Sequence, residues 1–357
     1  MEQKTMKAYV LRGPDNLVLE DVAVPQIQEP TDVIAKVTLT TLCRSDILSI
    51  SSGWGPVANV IQGHEFTCTV VEAGSEVKDF KVGDRCLAAP AASCGECPRC
   101  KAGLYSSCTT YGAYGSNPNV PGSFAEYIRI PMADRNLYHI ADGMTEEDMI
   151  FAGDVLATGM WAAQEAGVKE GSTVLVFGCG PIGMGAVMTA KKILKAGRVI
   201  VADVDQNRLD LMKDYADVLI NSAERDPDDV VMELTNDWGV DAVVDSVGRD
   251  ATMNLAIDCL RPGGTLMSFS IRYEPWEVNW FDVVLKNLTL KAGVATLNNI
   301  PPIIKAIEDG EIDAKFMQTH FMPLNNLLDG LDIFRNYKDG CIKVMITPYE
   351  HDRDLEK

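Results

Sequence analysis

Basic charge and histidine are both scarce in this sequence of 357 residues. It has 32 lysines and arginines against 51 aspartates and glutamates, which gives a formal net charge of −19 at pH 7. Nucleic acids and anionic membrane surfaces need a basic face on their partner, so this charge argues against both. A metal site built on imidazole has few candidates, because the four histidines are His64, His139, His320 and His351.

Long apolar runs are missing as well. No stretch approaches the about 20 apolar residues of a membrane-spanning helix. The first ten residues, MEQKTMKAYV, carry no apolar signal core, so we expect a soluble, cytoplasmic protein. In such a chain the ten cysteines do not indicate a disulfide framework, and a tight group of them indicates a metal site instead.

The length and a change of pattern along the chain predict two domains. Up to about residue 150, short β-branched runs such as DVIAKVTLTTLC and EFTCTVVEAG are separated by Gly and Pro, which predicts a mostly-β region. From Gly171 onward, apolar runs such as STVLVFG and RVIVADV alternate with stretches of helical spacing. That alternation is typical of an α/β domain with a doubly wound parallel sheet. Two amphipathic helices and a closing strand, CIKVMITP, are predicted from about Asn298.

A glycine motif follows the first of these apolar runs. Gly178-Cys179-Gly180-Pro181-Ile182-Gly183 lies between the strand VLVFG and a helical stretch. In that context GxGxxG predicts a dinucleotide site, with a plain glycine turn as the weaker alternative. Asp203 ends the next strand, where a carboxylate binds the ribose hydroxyls of NAD and repels the 2′-phosphate of NADP. Arg208 either orients Asp203 or is an ordinary solvated charge on a helix.

Four cysteines lie within fifteen residues, at Cys94, Cys97, Cys100 and Cys108. Spacings of two residues let one turn deliver neighbouring thiolates to a tetrahedral zinc ion. A loop of free thiols is the alternative, and it is a liability in solution. Because four protein ligands leave no open position, we predict a structural zinc site.

A catalytic zinc site needs three protein ligands and one exchangeable position. Cys43 opens Cys43-Arg44-Ser45-Asp46 and His64 lies in Gly63-His64-Glu65, and each is unremarkable alone. Their order, followed by the four cysteines, an Asp before Thr-Gly and GxGxxG, resembles the zinc-containing medium-chain dehydrogenase/reductase (alcohol dehydrogenase) family over essentially the whole chain. The segment FAGDVLATG, residues 151–159, is most similar to microbial secondary-alcohol dehydrogenases, whose zinc ligands are Cys, His and Asp.

The resemblance implies an architecture and a set of roles. A GroES-like catalytic domain would cover residues 1–157, with a structural-zinc lobe at about 94–108. A Rossmann NAD-binding domain would cover 158–297, and residues 298–357 would return to the catalytic domain. Cys43, His64 and Asp154 would hold the catalytic zinc, with Glu65 coordinating transiently. Asp154 could instead cap a helix, in which case Glu65 would be the third ligand.

Further roles follow from the same resemblance. Asp46 would accept the free ring N–H of His64, and Ser45 would begin the proton relay. Related enzymes often carry a histidine near Leu48, so here the relay would run from Ser45 to a cofactor ribose hydroxyl or to water. We also assign Thr158, Val247 and Lys343 to the cofactor site.

The implied activity is reversible, NAD-linked hydride transfer between a secondary alcohol and its ketone, with two zinc ions per chain and a homodimer or homotetramer. A polyol or threonine-like dehydrogenase is the alternative within enzymes. Leu48, Trp54 and Val294 are apolar and favour a less polar substrate. A non-catalytic NAD- and zinc-binding protein is a third possibility, but it would not need an open zinc site.

Overall fold

The computed structural model describes residues 4–52, 59–272 and 274–349. The chain divides into two compact units, described separately below. The first contains Met1–Asp154, Thr296–Pro301 and Asp313–Lys357, and the second contains Val155–Ala295 and Pro302–Ile312. The division differs from the expected return over 298–357, because residues 302–312 belong to the second unit. There Glu311 forms an ion pair with Lys195.

The first unit is mostly β. Its strands, numbered along the chain, are β1 (Thr5–Gly13), β2 (Asn16–Ala23), β3 (Val33–Thr41), β4 (Val60–Ile61), β5 (Glu65–Ala73), β6 (Arg85–Ala88), β7 (Ala91–Ala92), β8 (Gly112–Ala113), β9 (Tyr127–Ile130), β10 (Leu137–His139), β17 (Gln318–Pro323) and β18 (Lys343–Thr347). The largest sheet has the order β10-β6-β5-β3-β18-β17, with β9 also paired to β3. Strands β2, β1 and β4 form a second sheet, and β7 pairs with β8. Strand β3 lies inside the largest sheet, where it pairs with β5, β18 and β9. The side chains of Val33, Ala35 and Val37 on this strand are fully buried.

Short helices connect these strands. They are α1 (Arg44–Ser52), α2 (Pro98–Lys101), α3 (Ala133–Asn136), α4 (Glu146–Gly153) and α12 (Leu327–Arg335), with 3-10 turns at Tyr105–Ser107, Lys315–Met317, Leu324–Asn326 and Lys338–Gly340. Helix α4 begins with a capping box. The backbone N–H of Asp148 donates to the Thr145 hydroxyl, and the backbone N–H of Thr145 donates to the Asp148 carboxylate. Helix α4 packs on β3, β5 and β6. The helix therefore lies against the sheet that contains β5, the strand that directly follows His64.

The second unit is an α/β layer structure. Its strands are β11 (Thr173–Phe177), β12 (Arg198–Asp203), β13 (Val218–Asn221), β14 (Val240–Asp245), β15 (Leu260–Ser268) and β16 (Thr289–Ala292). Its helices are α5 (Val155–Glu165), α6 (Pro181–Lys192), α7 (Gln206–Asp210), α8 (Pro227–Thr235), α9 (Asp250–Cys259), α10 (Trp280–Leu285) and α11 (Ile300–Glu308), the last of which starts in the segment assigned to the first unit. The sheet order is β13-β12-β11-β14-β15-β16, and every pairing within it is parallel. The predicted doubly wound parallel sheet is confirmed.

Parallel pairing brings the carboxyl ends of the strands to one edge of this sheet. Phe177 at the end of β11 is in register with Ala202 on one side and with Asp245 on the other. The glycine motif after Phe177 therefore lies beside Asp203, where ligands of such sheets bind. Across residues 4–52, 59–272 and 274–349, no helix is long and apolar enough to cross a membrane.

Candidate metal and cofactor sites

The first cluster of metal-binding side chains is assembled from three segments of the first unit. Cys43 follows β3, His64 directly precedes β5, whose first residue is Glu65, and Asp154 directly follows α4. The pairing of β3 with β5 brings the first two segments together, since Thr41 is opposite Glu65. One ligand atom from each of the four residues lies within 4.8 Å of the others. The four side chains therefore converge on a single point.

The spacing of these atoms fits a zinc ion. Asp154 Oδ2 lies 3.9 Å from Cys43 Sγ and 3.6 Å from His64 Nε2. A tetrahedral zinc with ordinary bond lengths separates such ligand atoms by roughly 3.4–3.6 Å. Thiolate, imidazole and carboxylate are also the donor set that zinc prefers. Asp154 occupies the C-cap position after α4, and its carboxylate is turned toward Cys43 and His64.

Asp46 orients the imidazole of this cluster. Its Oδ1 lies 3.0 Å from His64 Nδ1, and its Oδ2 accepts the backbone N–H of Cys43 at 2.8 Å. With Nδ1 occupied, Nε2 faces the cluster and can bind a metal. Burial opposes the charged form of His64, but Asp46 and Asp154 outweigh it and raise the pKa of this histidine well above its usual value. Ser45 Oγ lies 3.4 Å from His64 Nε2, beside the metal position.

Glu65 has a partner that the sequence did not reveal. Lys343 Nζ lies 2.6 Å from Glu65 Oε1 and also donates to the backbone oxygen of Leu42 at 2.9 Å. The exposed fractions of the two side chains are only 2% and 0%. Burial raises the pKa of Glu65 to about 7 despite the ammonium. Among the residues that the structure describes, Glu65 Oε2 has no hydrogen-bond partner. Glu65 belongs to the metal-binding cluster, so this oxygen is available as a ligand.

This geometry changes the interpretation of Lys343. We assigned it to the cofactor, but its ammonium is buried and bound to Glu65 and Leu42, so these contacts give it a role toward the metal cluster. The pairing was missed because the two residues lie 278 positions apart in the sequence. The sequence did carry a signal for this pair: the apolar strand segments EFTC and CIKV each contain one charged residue, Glu65 and Lys343, and buried charges are usually paired.

The four-cysteine lobe forms a second cluster. Cys94 Sγ lies 3.9 Å from Cys100 Sγ, and Cys97 Sγ lies 4.0 Å from Cys108 Sγ. A tetrahedral zinc–thiolate centre places its sulfurs about 3.8 Å apart. Backbone N–H groups of Cys97 and Cys100 point at the sulfurs of Cys94 and Cys97, respectively. Hydrogen bonds from the backbone of Thr109 and Cys100 lower the pKa of Cys97 to about 5, which favours the metal-binding thiolate.

The glycine motif has the geometry of a dinucleotide site. Gly178 has φ +92°, and a β-carbon there would lie 2.5 Å from Ser246 Oγ. A β-carbon at Gly183 would lie 1.9 Å from the backbone oxygen of Gly178, so the helix can approach the strand only with glycine. A β-carbon at Gly180 would meet nothing within 4 Å. The motif therefore leaves open space before α6, where Pro181 takes the first helical position and Ile182 the next.

Asp203 lies beside this motif as predicted from the sequence. Its Oδ2 accepts the backbone N–H of Cys179, and its Oδ1 accepts that of Asp205. Each carboxylate oxygen keeps lone-pair capacity for a ribose hydroxyl. Arg208 Nε lies 3.5 Å from Asp205 Oδ2 and forms an ion pair with that carboxylate. Val247, which follows β14, is 37% exposed.

Comparisons with known protein families cover most of the chain. Residues 29–142 match the alcohol dehydrogenase GroES-like domain, and residues 181–309 match zinc-binding dehydrogenase. The chain is 32% identical to an uncharacterized zinc-type alcohol dehydrogenase-like protein, AdhB, of Bacillus subtilis, with 96% of this chain and 100% of that protein aligned. It is 31% identical to an erythritol/L-threitol dehydrogenase of Mycolicibacterium smegmatis, over 96% and 98% of the two chains.

The chain belongs to the zinc-type medium-chain alcohol dehydrogenase family. It is an oxidoreductase by family and is built on the GroES-like and Rossmann domains inferred from the sequence.

Solved structures of other dehydrogenases have a similar fold over nearly the whole chain. Alcohol dehydrogenase TADH from Thermus sp. ATN1 has a TM-score of 0.87 at 28% identity, over 96% of this dehydrogenase and 99% of that chain. The rspB short chain alcohol dehydrogenase from Escherichia coli CFT073, complexed with NADH, has a TM-score of 0.86 at 26% identity, over 96% and 99%. A putative zinc-binding dehydrogenase from Sinorhizobium meliloti 1021, bound to NADP, has a TM-score of 0.86 at 27% identity, over 97% and 100%.

The structure describes most of the remaining positions that the sequence analysis named. His139 stacks on Phe80 with ring centroids 4.4 Å apart, and His320 is exposed. Leu48 and Thr158 are half-buried on α1 and α5, and Val294 is exposed. Trp54 and His351 lie outside the described residues. Among the described histidines, His64 alone joins a metal-binding cluster.

Proposed function

We propose that this dehydrogenase catalyses the reversible, NAD-linked oxidation of a secondary alcohol to its ketone at a zinc ion held by Cys43, His64 and Asp154. The observation that carries the proposal is the convergence of these three ligand atoms, with the unpartnered Glu65 Oε2 beside them. The four side chains of the cluster are one more than the three protein ligands of a catalytic zinc, and in this proposal Glu65 leaves the metal when substrate binds. Such a site opens one position to substrate, as a catalytic zinc requires.

The chain's own residues support this chemistry in distinct ways. Asp46 holds the His64 ring so that Nε2 faces the metal position, and Lys343 holds Oε1 of Glu65. Bound zinc would withdraw charge from the alcohol oxygen and ease loss of its proton near neutral pH. Ser45 Oγ, next to His64 Nε2, accepts that proton. Because position 48 is leucine, Ser45 passes it on to a cofactor hydroxyl or to water.

NAD is the proposed hydride acceptor. Gly180 leaves room for a pyrophosphate before α6, while Gly178 and Gly183 allow the tight turn and the close approach of the helix to the strand. Asp203 offers both carboxylate oxygens to the ribose hydroxyls. A 2′-phosphate beside Asp203 would meet like charge. The bound nicotinamide would take up the hydride from the alcohol carbon. We propose two zinc ions per chain, the second held by the four-cysteine lobe without an open position.

A screen of NAD reduction across substrate classes tests the proposal. Purified, zinc-loaded enzyme would be assayed with short secondary alcohols, primary alcohols, polyols and bulky hydroxyl compounds such as sterols. We expect the highest kcat/KM with a secondary alcohol and a preference for NAD over NADP. If protein shown to contain zinc reduced no NAD with any of these substrate classes, the proposal would be refuted.

A polyol is the second candidate substrate class. The supporting observation is the similarity over nearly the whole chain to an enzyme named for erythritol and L-threitol. A kcat/KM for four- to six-carbon polyols above that for simple secondary alcohols would favour this candidate. The zinc and NAD assignments would stand in that case.

We also propose a homodimer or a larger homo-oligomer. Within the described residues β16 pairs only with β15, so it forms an edge of the parallel sheet. Nearby in sequence, α10 exposes Trp280, Phe281, Val284 and Leu285. An unprotected edge strand and an apolar surface group favour association with a second copy. Sedimentation of a stable monomer at micromolar concentration would contradict this.

A further inference from the structure

Asp245 is a buried acid with no part in the chemistry described above. It ends β14, its exposed fraction is 0%, and it is in register with Phe177 on one side and Ser268 on the other. It thus stands at the carboxyl edge of the sheet, next to the strand that leads into the glycine motif. A carboxylate in such a place needs several donors to offset its burial.

The donors to Asp245 come from the loop that follows it and from its neighbours. Its Oδ1 accepts the backbone N–H of Val247 at 3.2 Å and the hydroxyl of Thr252 at 3.1 Å. Its Oδ2 accepts the backbone N–H of Gly248 at 3.0 Å and the hydroxyl of Ser268 at 2.9 Å. One carboxylate therefore fixes residues 246–248 to β14, to the start of α9 and to β15.

The loop held in this way packs directly on the glycine motif. Ser246 N and Oγ both donate to the backbone oxygen of Phe177, at 3.0 and 2.7 Å, and Oγ also lies 3.2 Å from that of Gly178. The space beside the Gly178 α-carbon is filled by Ser246 Oγ and Val247 Cγ2, at 2.5 and 2.7 Å from where a β-carbon would be. The position of Ser246 and Val247 therefore sets the shape of the Gly178 turn.

We propose that Asp245 is a positioning residue for dinucleotide binding, acting through Ser246 and Val247 on the Gly178 turn. The inference rests on the proposed NAD site and adds a residue outside the GxGxxG motif and Asp203. Its sequence signal was slight: an acid ending the otherwise apolar run VDAVVD. Loss of the carboxylate frees the amides of Val247 and Gly248, so the turn is no longer held in the shape that the pyrophosphate needs.

Asp241 provides a matched control on the same strand. It lies at the other end of β14, where it accepts the backbone N–H of Thr173 at 2.7 Å and pairs with Arg261. Asp241→Ala and Asp245→Ala both delete an acid of β14 that accepts a backbone N–H group from another segment or loop. Only Asp245 lies at the edge that carries the glycine motif, so the two variants separate a general loss of stability from a loss of the site.

The test measures NADH binding by the change in its fluorescence, together with melting temperature and zinc content. We expect about a tenfold or larger rise in the Kd for NADH with Asp245→Ala, and a raised KM for NAD with kcat at saturation nearly unchanged. Asp241→Ala should melt earlier but bind NADH as the unmodified enzyme does. Asp245→Asn, which keeps one acceptor, should give an intermediate Kd, and it decides the matter if the alanine variant does not fold.

Three results would contradict parts of this account: two would refute the positioning role of Asp245, and the third would refute the proposed function. Unchanged NADH binding in a folded Asp245 variant would refute the positioning role. Equal weakening by Asp241→Ala and Asp245→Ala would also refute it, since the effect would then be general destabilisation. Failure of the unmodified enzyme to bind NADH would instead refute the proposed function.

Discussion

Replacing Lys343 with methionine removes one member of a buried ion pair and leaves its volume nearly unchanged. In the unmodified enzyme, Lys343 Nζ and Glu65 Oε1 are 2.6 Å apart, with 2% and 0% of the side chains exposed. Lys343→Met leaves Oε1 of the buried Glu65 carboxylate without its ammonium partner, and within the described parts of the chain Oε2 has no hydrogen-bond partner either. Removing one partner of such a pair typically costs about 3–5 kcal/mol.

This cost should be visible in thermal unfolding. For a unit of this size, it lowers the melting temperature by on the order of 10 °C. Adding Glu65→Gln to Lys343→Met removes the uncompensated charge, so we expect the double variant to recover most of the loss. Calorimetry of the unmodified enzyme, both single variants and the double variant, at matched zinc content, completes the cycle.

The reasoning fails if the cycle shows no coupling. A Lys343→Met variant that melts within about 2 °C of the unmodified enzyme would mean that the ion pair contributes little. Additive effects of Lys343→Met and Glu65→Gln would mean that the two groups act independently. Lys7→Met serves as the control, because Lys7 forms an exposed ion pair with Asp21 in the same unit and the loss of an exposed pair costs at most about 1 kcal/mol.

Two further substitutions probe other parts of the molecule. Burial alone would raise the pKa of Asp148, but hydrogen bonds from Lys315 and Thr145 lower it below the usual 3.8. Since the folded pKa is depressed, this acid stabilises the fold above its unfolded pKa and loses that effect as the pH falls through the folded value. Asp148→Asn should therefore cost about 1 kcal/mol at pH 7, and the difference should shrink in melts at progressively lower pH. A constant difference at every pH would contradict this. Gly183→Ala places a β-carbon 1.9 Å from the Gly178 oxygen, so α6 must move and NADH binding, measured by fluorescence, should weaken at least tenfold. Gly171→Ala, with nothing within 4 Å of its β-carbon position, is the control for adding a methyl group at a glycine of this unit, although its φ of +82° adds some strain. Equal NADH affinity in Gly183→Ala and the unmodified enzyme would contradict the prediction.

The local patterns predicted the sheet of the second unit well, because each strand is an almost uninterrupted apolar run. Val174, Leu175 and Val176 of β11 are completely buried, and burial on both faces is what produces such runs. The glycine motif was also predictable, because GxGxxG between a strand and a helix is a local pattern and part of its requirement for glycine is local. The Gly183 contact with Gly178 is an example.

Contacts between distant segments could not be predicted in the same way. The pairing of Lys343 with Glu65 depends on β18 lying next to β3, which in turn pairs with β5. No local pattern in CIKVMITP shows that order. Arg208 illustrates a smaller limit, because its ion pair with Asp205 depends on side-chain geometry within a single helical turn.

The most direct test of the central proposal is the zinc content of His64→Ala measured beside that of the unmodified enzyme, with NAD-linked turnover recorded on the same samples. We predict two zinc ions per chain in the unmodified enzyme. In His64→Ala we predict one zinc ion, held by Cys94, Cys97, Cys100 and Cys108, with the secondary-alcohol activity lost. A His64→Ala enzyme that keeps both zinc ions and turns over at a comparable rate would contradict the proposed catalytic site.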